Sequence, residues 1–385
     1  MKKKLVAVAV AGVLGAPLAA HAQTANVTLY GRLNTNYELV NGRQADGSNP
    51  NVSRISSNSS RLGVRGTESL GGGLSAIFQI ESSINSDGAG GTLAGRETFV
   101  GFQGSWGTFK VGRFLLPTDD MHPIFGDVPT YTTSILSTAS LWAQGFAAKQ
   151  DGGFDDRANN SLRYDSPSFN GLTFSGQVAL RDSSGTTGSP GGDHIQEVRH
   201  AYILGGNAIY NNGPIQAGAS FERNNKVRGV DLDDTEITVT GGYNFGVVRV
   251  AAVYEYLKYE TPTGDLKRDF WGVSGTVPMG PGTWYLFYGQ ANDGKGSAAD
   301  GERVSGLTKG SDTGARQWEV SYTYPFSKRT SVYAGYVKID NDSKAAYNFN
   351  INSYTFNTSC VSDRLCPNGA NGKPGGFVLG MIHLF

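Results

Sequence analysis

Apolar and polar residues alternate along most of the chain with a period of two. Ile215, Ala217, Ala219 and Phe221 share one parity, and Gln216, Gly218, Ser220 and Glu222 the other. Ile237, Val239, Gly241 and Tyr243 alternate with Glu236, Thr238, Thr240 and Gly242, and Trp318, Val320, Tyr322 and Tyr324 with Gln317, Glu319, Ser321 and Thr323. The even positions of 172–180 are apolar or glycine, and Val250, Ala252 and Tyr254 oppose Arg249 and Glu255. Successive side chains of a strand point to opposite faces, so this pattern predicts strands and not helices. The connections are of two alternating kinds. Short ones carry Gly or Pro, as at Ser69–Gly72, Ser105–Gly107, Asn211–Pro214 and Pro278–Gly282; long polar ones fall around 41–52, 82–95, 117–156, 183–197, 225–235, 261–267, 293–314 and 340–374. Seven short turns interleaved with eight long loops predict 16 antiparallel strands.

A soluble sandwich or propeller would need further layers to cover sixteen apolar faces, and the pattern offers none. Lipid covers them instead. A sheet in a bilayer must satisfy every backbone group, so it closes on itself, and roughly 9–11 residues carry each strand across. The predicted fold is therefore all-β, a 16-stranded antiparallel transmembrane β-barrel enclosing a water-filled channel.

Composition narrows the function. Lys+Arg and Asp+Glu both number 33, and only 17% of residues are charged. That balance argues against a nucleic-acid binder, which is basic. The 54 Gly, 18 Tyr and 19 Phe argue against disorder. Lys2, Lys3 and Lys4, the apolar run Leu5–Ala20 and the small-residue site Ala20-His21-Ala22 read as a signal peptide over 1–22, with an anchor helix as the rival, leaving 23–385 as the barrel. In the oxidising compartment beyond, Cys360 and Cys366 are expected to form a disulfide pinning a loop; two free thiols are the alternative. The final segment, Gly375–Phe385, is apolar on both parities (Phe377, Leu379 and Met381; Ile382 and Leu384), which suggests a subunit contact. Its terminal Phe385 resembles the insertion signal of outer-membrane barrels.

Residues 117–156 are too long for an ordinary connection and hold Pro117, Pro123, Pro129, Ile124, Phe125, Ile135, Leu136, Leu141, Trp142 and Phe146. Such a loop buries its apolar surface by folding into the barrel; clamping a neighbouring subunit is the alternative.

Several segments resemble the general Gram-negative porins of the β-proteobacterial type. These are Val27-Thr28-Leu29-Tyr30-Gly31, the run Ser60 to Leu74, Gly107-Thr108-Phe109-Lys110-Val111-Gly112-Arg113, Arg157-Ala158-Asn159-Asn160-Ser161 with Arg163-Tyr164, Ser327-Lys328-Arg329-Thr330 and the terminal Phe385. His122-Pro123-Ile124-Phe125-Gly126-Asp127 resembles the family's Pro-Glu-Phe-Gly loop signature, with Ile124 where the family has an acid. The resemblance implies a homotrimer in the outer membrane of a Gram-negative bacterium, surrounded by lipid and lipopolysaccharide, with the third long loop folded into each pore. It also implies an arginine cluster on the wall opposite that loop, and Arg61, Arg96 and Arg157 match by motif position.

The residues support a charged lumen independently. Arg61 and Arg65 lie opposite Leu62 and Val64, and Arg163 lies opposite Leu162 and Tyr164. Arg65, Arg113 and Arg163 are further lumen-facing candidates, and Asp119, Asp120 and Asp127 are the loop acids expected at the constriction. Arginine keeps its charge in such a cluster. Opposed rows of charge across a narrow aperture create a transverse field that favours polar solutes, and the constriction charges set ion preference. An acidic loop facing a basic wall leaves the sign of that preference open.

The expected function is passive diffusion of ions and small hydrophilic solutes, without cofactor or metal. The alternative is a selective channel with a pore site for small organic anions. An outer-membrane enzyme and an adhesive barrel are weaker readings. No H-E-x-x-H or G-x-S-x-G occurs. Gly289–Lys295 approaches a phosphate-binding loop, but Gly296 stands where Ser or Thr is required. Asp231, Asp233, Asp234 and Glu236 could form a weak cation site or a solvated acidic loop.

Overall fold

A computed structural model describes residues 26–43, 48–126, 134–142, 154–180, 201–229, 231–304, 306–352, 354 and 371–385. The expected signal peptide over 1–22, Asp127, Cys360 and Cys366 lie outside the described residues.

Sixteen strands follow in chain order: β1 Asn26–Arg43; β2 Val52–Ser57, resumed after a break at Arg61–Gly71; β3 Leu74–Ile84; β4 Thr98–Gly104; β5 Gly107–Leu115; β6 Arg157–Asp165; β7 Leu172–Leu180; β8 Tyr202–Asn212; β9 Ile215–Asn225; β10 Asp234–Asn244; β11 Arg249–Thr261; β12 Gly264–Met279; β13 Gly282–Ala291; β14 Ala315–Pro325; β15 Thr330–Asn341; and β16 Lys373–Leu384. Each pairs antiparallel with its neighbours in sequence. The cylinder closes where β1 meets β16, from Arg32 opposite Leu384 to Arg43 opposite Lys373. Along its other edge β1 takes both pieces of β2, Arg61–Thr67 near its start and Val52–Ser57 further on. This is the closed 16-stranded antiparallel barrel that the alternation predicts.

Burial is inverted relative to a water-soluble protein. On β10, Glu236 and Thr238 are fully buried, while Ile237 and Val239 are 41% and 50% exposed. The polar parity faces the lumen and the apolar parity faces outward, where lipid replaces the missing core. Aromatic pairs gather near the strand ends. Trp106 stacks on Tyr164, Tyr243 meets Phe245 and Trp284 meets Tyr322 close to the short turns; Trp318–Tyr336 and Tyr336–Phe377 lie toward the long loops. These positions suit the amphipathic interface.

Two local expectations change. The polar stretch 261–267 is not a long loop: Thr261 pairs with Gly264, and the hairpin of β11 and β12 runs on past the point where the composition turns polar. Lys258 and Asp265 pair across it at 3.4 Å, and Lys267 pairs with Asp265 along β12 at 3.0 Å. Polarity there marks a sheet with water on both faces, not the loss of sheet. On β16, Phe377, Leu379 and Met381 face outward, and of the second apolar parity Ile382, with Val378, is buried inside the barrel while Leu384 at the strand's end stays exposed. Val378 and Ile382 belong to a buried cluster with the inserted loop, so the double apolarity serves the interior.

Candidate functional site

The segment after β5 turns into the barrel. A 3-10 turn over Pro117–Met121 leads into the single helical turn α1, His122–Phe125, and a second 3-10 turn covers Thr138–Ser140. Met121, Ile124, Phe125, Ile135, Leu136, Leu141 and Trp142 are all buried. They join one apolar cluster with Val253 of β11, Phe270 of β12, Phe287 of β13, Val337 and Ile339 of β15, Val378 of β16 and Val40 of β1. Phe125 meets Trp142 and Phe287 edge to face, with ring centroids 5.6 Å apart in each pair. Burying each such side chain is worth about 1.5–3 kcal/mol, which opposes the entropy lost in holding the loop.

Wall glycines make the close approach possible. A Cβ at Gly218 would stand 2.8 Å from Met121 Sδ, and one at Gly205 would stand 2.9 Å from Pro117 Cδ. At Gly376 it would stand 2.8 Å from Ile135 Cδ1, at Gly335 3.1 Å from Leu136 Cδ2, and at Gly272 3.2 Å from Phe125 Cζ. Lumen-side glycines on five strands therefore form the floor on which the loop lies. These positions were not identifiable from the sequence.

Wall side chains hold the loop backbone. Ser274 Oγ donates to the Phe125 carbonyl at 2.7 Å, Gln317 Nε2 to that of Ser137 at 2.9 Å, and Asn207 Nδ2 to that of Pro117 at 2.7 Å; the Arg249 guanidinium donates to Ile124 O. Asp120 accepts from Arg163 Nη2 at 2.6 Å and from Asn207 Nδ2 at 2.8 Å. Arg163 is buried and also binds Asp165 at 2.7 Å. A loop acid and a wall arginine thus meet directly at Asp120–Arg163.

Arg61 and Arg96 are placed differently. Both engage Glu81 of β3, Arg96 Nε at 2.6 Å and Arg61 Nε at 3.7 Å, and Tyr30 Oη donates to the same carboxylate at 3.0 Å. Sequence reading passed over Glu81 because its partners lie on separate strands and a loop. Tyr30 reaches it across Gly63, where a Cβ would stand 2.4 Å from Tyr30 Cζ. Arg65 lies over the Tyr30 ring, 5.0 Å from its centroid. Arg157 is within electrostatic range of Arg96, Asp119, Glu97 and Asp156. Arg113 donates to Asn159 Oδ1 at 2.5 Å and to the Gly95 carbonyl at 3.1 Å. Arg61, Arg65, Arg96, Arg113 and Arg157 therefore cluster near Glu81, Glu97 and Asp156.

Asp119 belongs to a second group with His122 and Asp155, whose ligand-type atoms lie within 4.8 Å of one another. His122 Nε2 hydrogen-bonds Asp155 Oδ2, and the imidazole packs on Trp142 with centroids 4.0 Å apart. Desolvation and the nearby Asp155 push Asp119 up to about 8, although part of its surface still meets the lumen. Burial raises Asp155 as well and lowers His122. Glu222 Oε2 accepts from Asp155 N at 3.2 Å and from Thr118 Oγ1 at 3.3 Å. The acidic 231–236 stretch is divided. Asp233 pairs with Arg223 at 2.5 Å and Asp234 with Arg228 at 2.6 Å, while Glu236 points into the lumen. These arginines supply the charge that a cation would have supplied.

Residues 6–344 match the Gram-negative porin family. Over 351 residues the chain is 30% identical to outer membrane porin protein 32 of Delftia acidovorans, covering 89% of this chain and 90% of that one. It is 29% identical over 350 residues to the major outer membrane protein P.IB of Neisseria meningitidis serogroup A, covering 88% and 94%. The solved anion-selective porin from Comamonas acidovorans superposes with a TM-score of 0.70 at 26% identity, covering 94% of this chain and 100% of that one.

Proposed function

Because this chain belongs to the Gram-negative porin family and forms an outer-membrane channel for passive diffusion of solutes, we propose that its constriction favours anions. Its relatives are channel proteins and not enzymes, and the diffusion function needs no chemical step. One observation carries the preference: among the described residues the lumen wall brings Arg61, Arg65, Arg96, Arg113 and Arg157 near Glu81, Glu97 and Asp156, with Asp119 beside Arg157, five basic groups against four acids. The other described loop acids do little to offset this excess, since Asp120 is engaged by Arg163 and Asp155 is buried behind the loop. A net positive lining in a narrow, low-dielectric aperture raises the local concentration of anions. Likeness to the anion-selective porin supports the same sign.

The test is the reversal potential of single channels in a salt gradient. Neutralising Arg61, Arg96 and Arg157 together is expected to move the potential toward cations. An unchanged potential removes these residues from the selectivity filter. A homotrimer in lipid and lipopolysaccharide is part of the same proposal, supported by family membership and by the outward apolar parity of β16. Light scattering with detergent correction would show one or three chains per particle.

A further inference from the structure

We propose that Asp119, His122 and Asp155 form a binding site for one divalent metal ion of the zinc class, which ties the two ends of the inserted loop together. The donors come from both ends. Asp119 and His122 are three residues apart on the turn that enters the barrel, and Asp155 stands just before β6 on the return. Their ligand atoms lie within 4.8 Å of one another. Metal–ligand bonds of about 2.0–2.2 Å separate neighbouring donors by somewhat less than that, so small side-chain rotations complete the geometry.

Burial provides a second, independent observation. His122 and Asp155 are each 1% exposed, and the Asp155 carboxyl is hydrogen-bonded within the group, by His122 and Asp119, with no donor from outside it to Oδ1 among the described residues. Glu222 is fully buried alongside, and its Oε1 is unpartnered among the described residues. Its other oxygen already bonds the backbone of Asp155, so it is the nearest candidate for a fourth donor. Leaving the carboxylate oxygens desolvated is costly, and one metal ion held by them and by His122 Nε2, the ring nitrogen that faces Asp155, satisfies them together.

The donor set selects the ion. Calcium and magnesium take oxygen ligands, whereas an imidazole with carboxylates suits zinc, cobalt and their neighbours. The surrounding charge agrees, since Glu222, Glu236 and Glu255 all act on Asp155 or on one another. Arg268 pairs with Glu255, and Arg157 acts on Asp119 from the wall.

The experiment uses the folded full-length protein in detergent, stripped with a chelator and titrated with Co2+ by visible absorption and with Zn2+ by calorimetry. One ion per chain is expected, with the ligand-field bands of a nitrogen–oxygen site, and excess Ca2+ should not displace it. His122→Ala and Asp155→Asn should each weaken binding by about 10–100-fold or more, because even outer-shell partners cost that much. His383→Gln, at the far end of the barrel, should leave binding intact. Gel mobility before and after heating reports whether each variant is folded, and Asp119→Asn offers an isosteric third probe. Absence of Co2+ bands in the wild type overturns the site, as does displacement by Ca2+ or binding that survives both His122→Ala and Asp155→Asn. In those cases the three side chains form only a hydrogen-bonded clasp. Conductance of the same preparation tests the channel function separately.

Discussion

Glu81 is held by Tyr30, Arg61 and Arg96 at once. It keeps two like charges close together and subtracts one unit from the positive wall. Glu81→Gln should therefore raise the anion-to-cation permeability ratio several-fold, read from the reversal potential. The same substitution should broaden the conductance histogram, because Arg61 and Arg96 lose their shared anchor. A ratio that fell would show that Glu81 does not face the permeation path. Arg61, Arg65 and Arg163 were legible in the sequence, since strict alternation opposite Leu62, Val64, Leu162 and Tyr164 gives their direction, whereas Arg96 was matched by family motif alone. Their partners were not legible. Tyr30, Arg61, Glu81 and Arg96 meet only through the register of three adjacent strands and one loop. Of the acids expected to face the arginine cluster, Asp120 meets Arg163, which stands outside that cluster. Asp119 instead shares its surroundings with His122 and Asp155, an association spanning a connection that no spacing rule encodes.

At the scale of elements, the inserted segment and the wall are shaped to each other. Length and apolar content predicted that 117–156 enters the barrel, with a clamp over a neighbouring subunit as the alternative, because its apolar side chains need a surface to bury them. The matching wall was hidden, because a glycine in a strand looks the same whether it opposes a loop or faces water. Gly376→Val and Gly218→Val should each collide with Ile135 or with Met121 and Ile124. Overpacking of this kind costs about 1–3 kcal/mol, and the loop is the softer partner. The expected result is an intact barrel with a displaced loop: faster uptake of large sugars in liposome swelling and easier cleavage of the loop by protease. Gly275, where a Cβ would meet nothing within 4 Å and no positive φ adds strain, is the comparison site for crowding. If swelling rates stayed at the wild-type value, the glycine floor would have no role in holding the loop.

At the scale of the whole molecule, the two parities of each strand live in different solvents. Val239, outward on β10, and Thr238, inward beside it, are neighbours in sequence and opposites in environment. Arginine on the lipid face near the bilayer midplane costs about 2–4 kcal/mol. Val239→Arg should lower the unfolding free energy in vesicles by that amount, whereas Thr238→Ser should change it by well under half as much. Equal losses at both positions would contradict the assignment of faces. This architecture was the most legible feature of the sequence, because alternation repeated sixteen times admits few closures. The hairpin of β11 and β12 extends further than expected, since beyond the bilayer the alternation no longer separates apolar from polar.

The seam of the cylinder lies under the inserted segment. Ile135 rests against Gly376 of the last strand and Val40 of the first, two residues that become neighbours only when those strands join. A newly made chain can therefore seat Ile135 fully only once the ring is fastened, because the Val40–Gly376 part of the seat is made by that closure. Fastening precedes complete plugging, and an unfinished ring exposes a wide bore with a greasy inner patch.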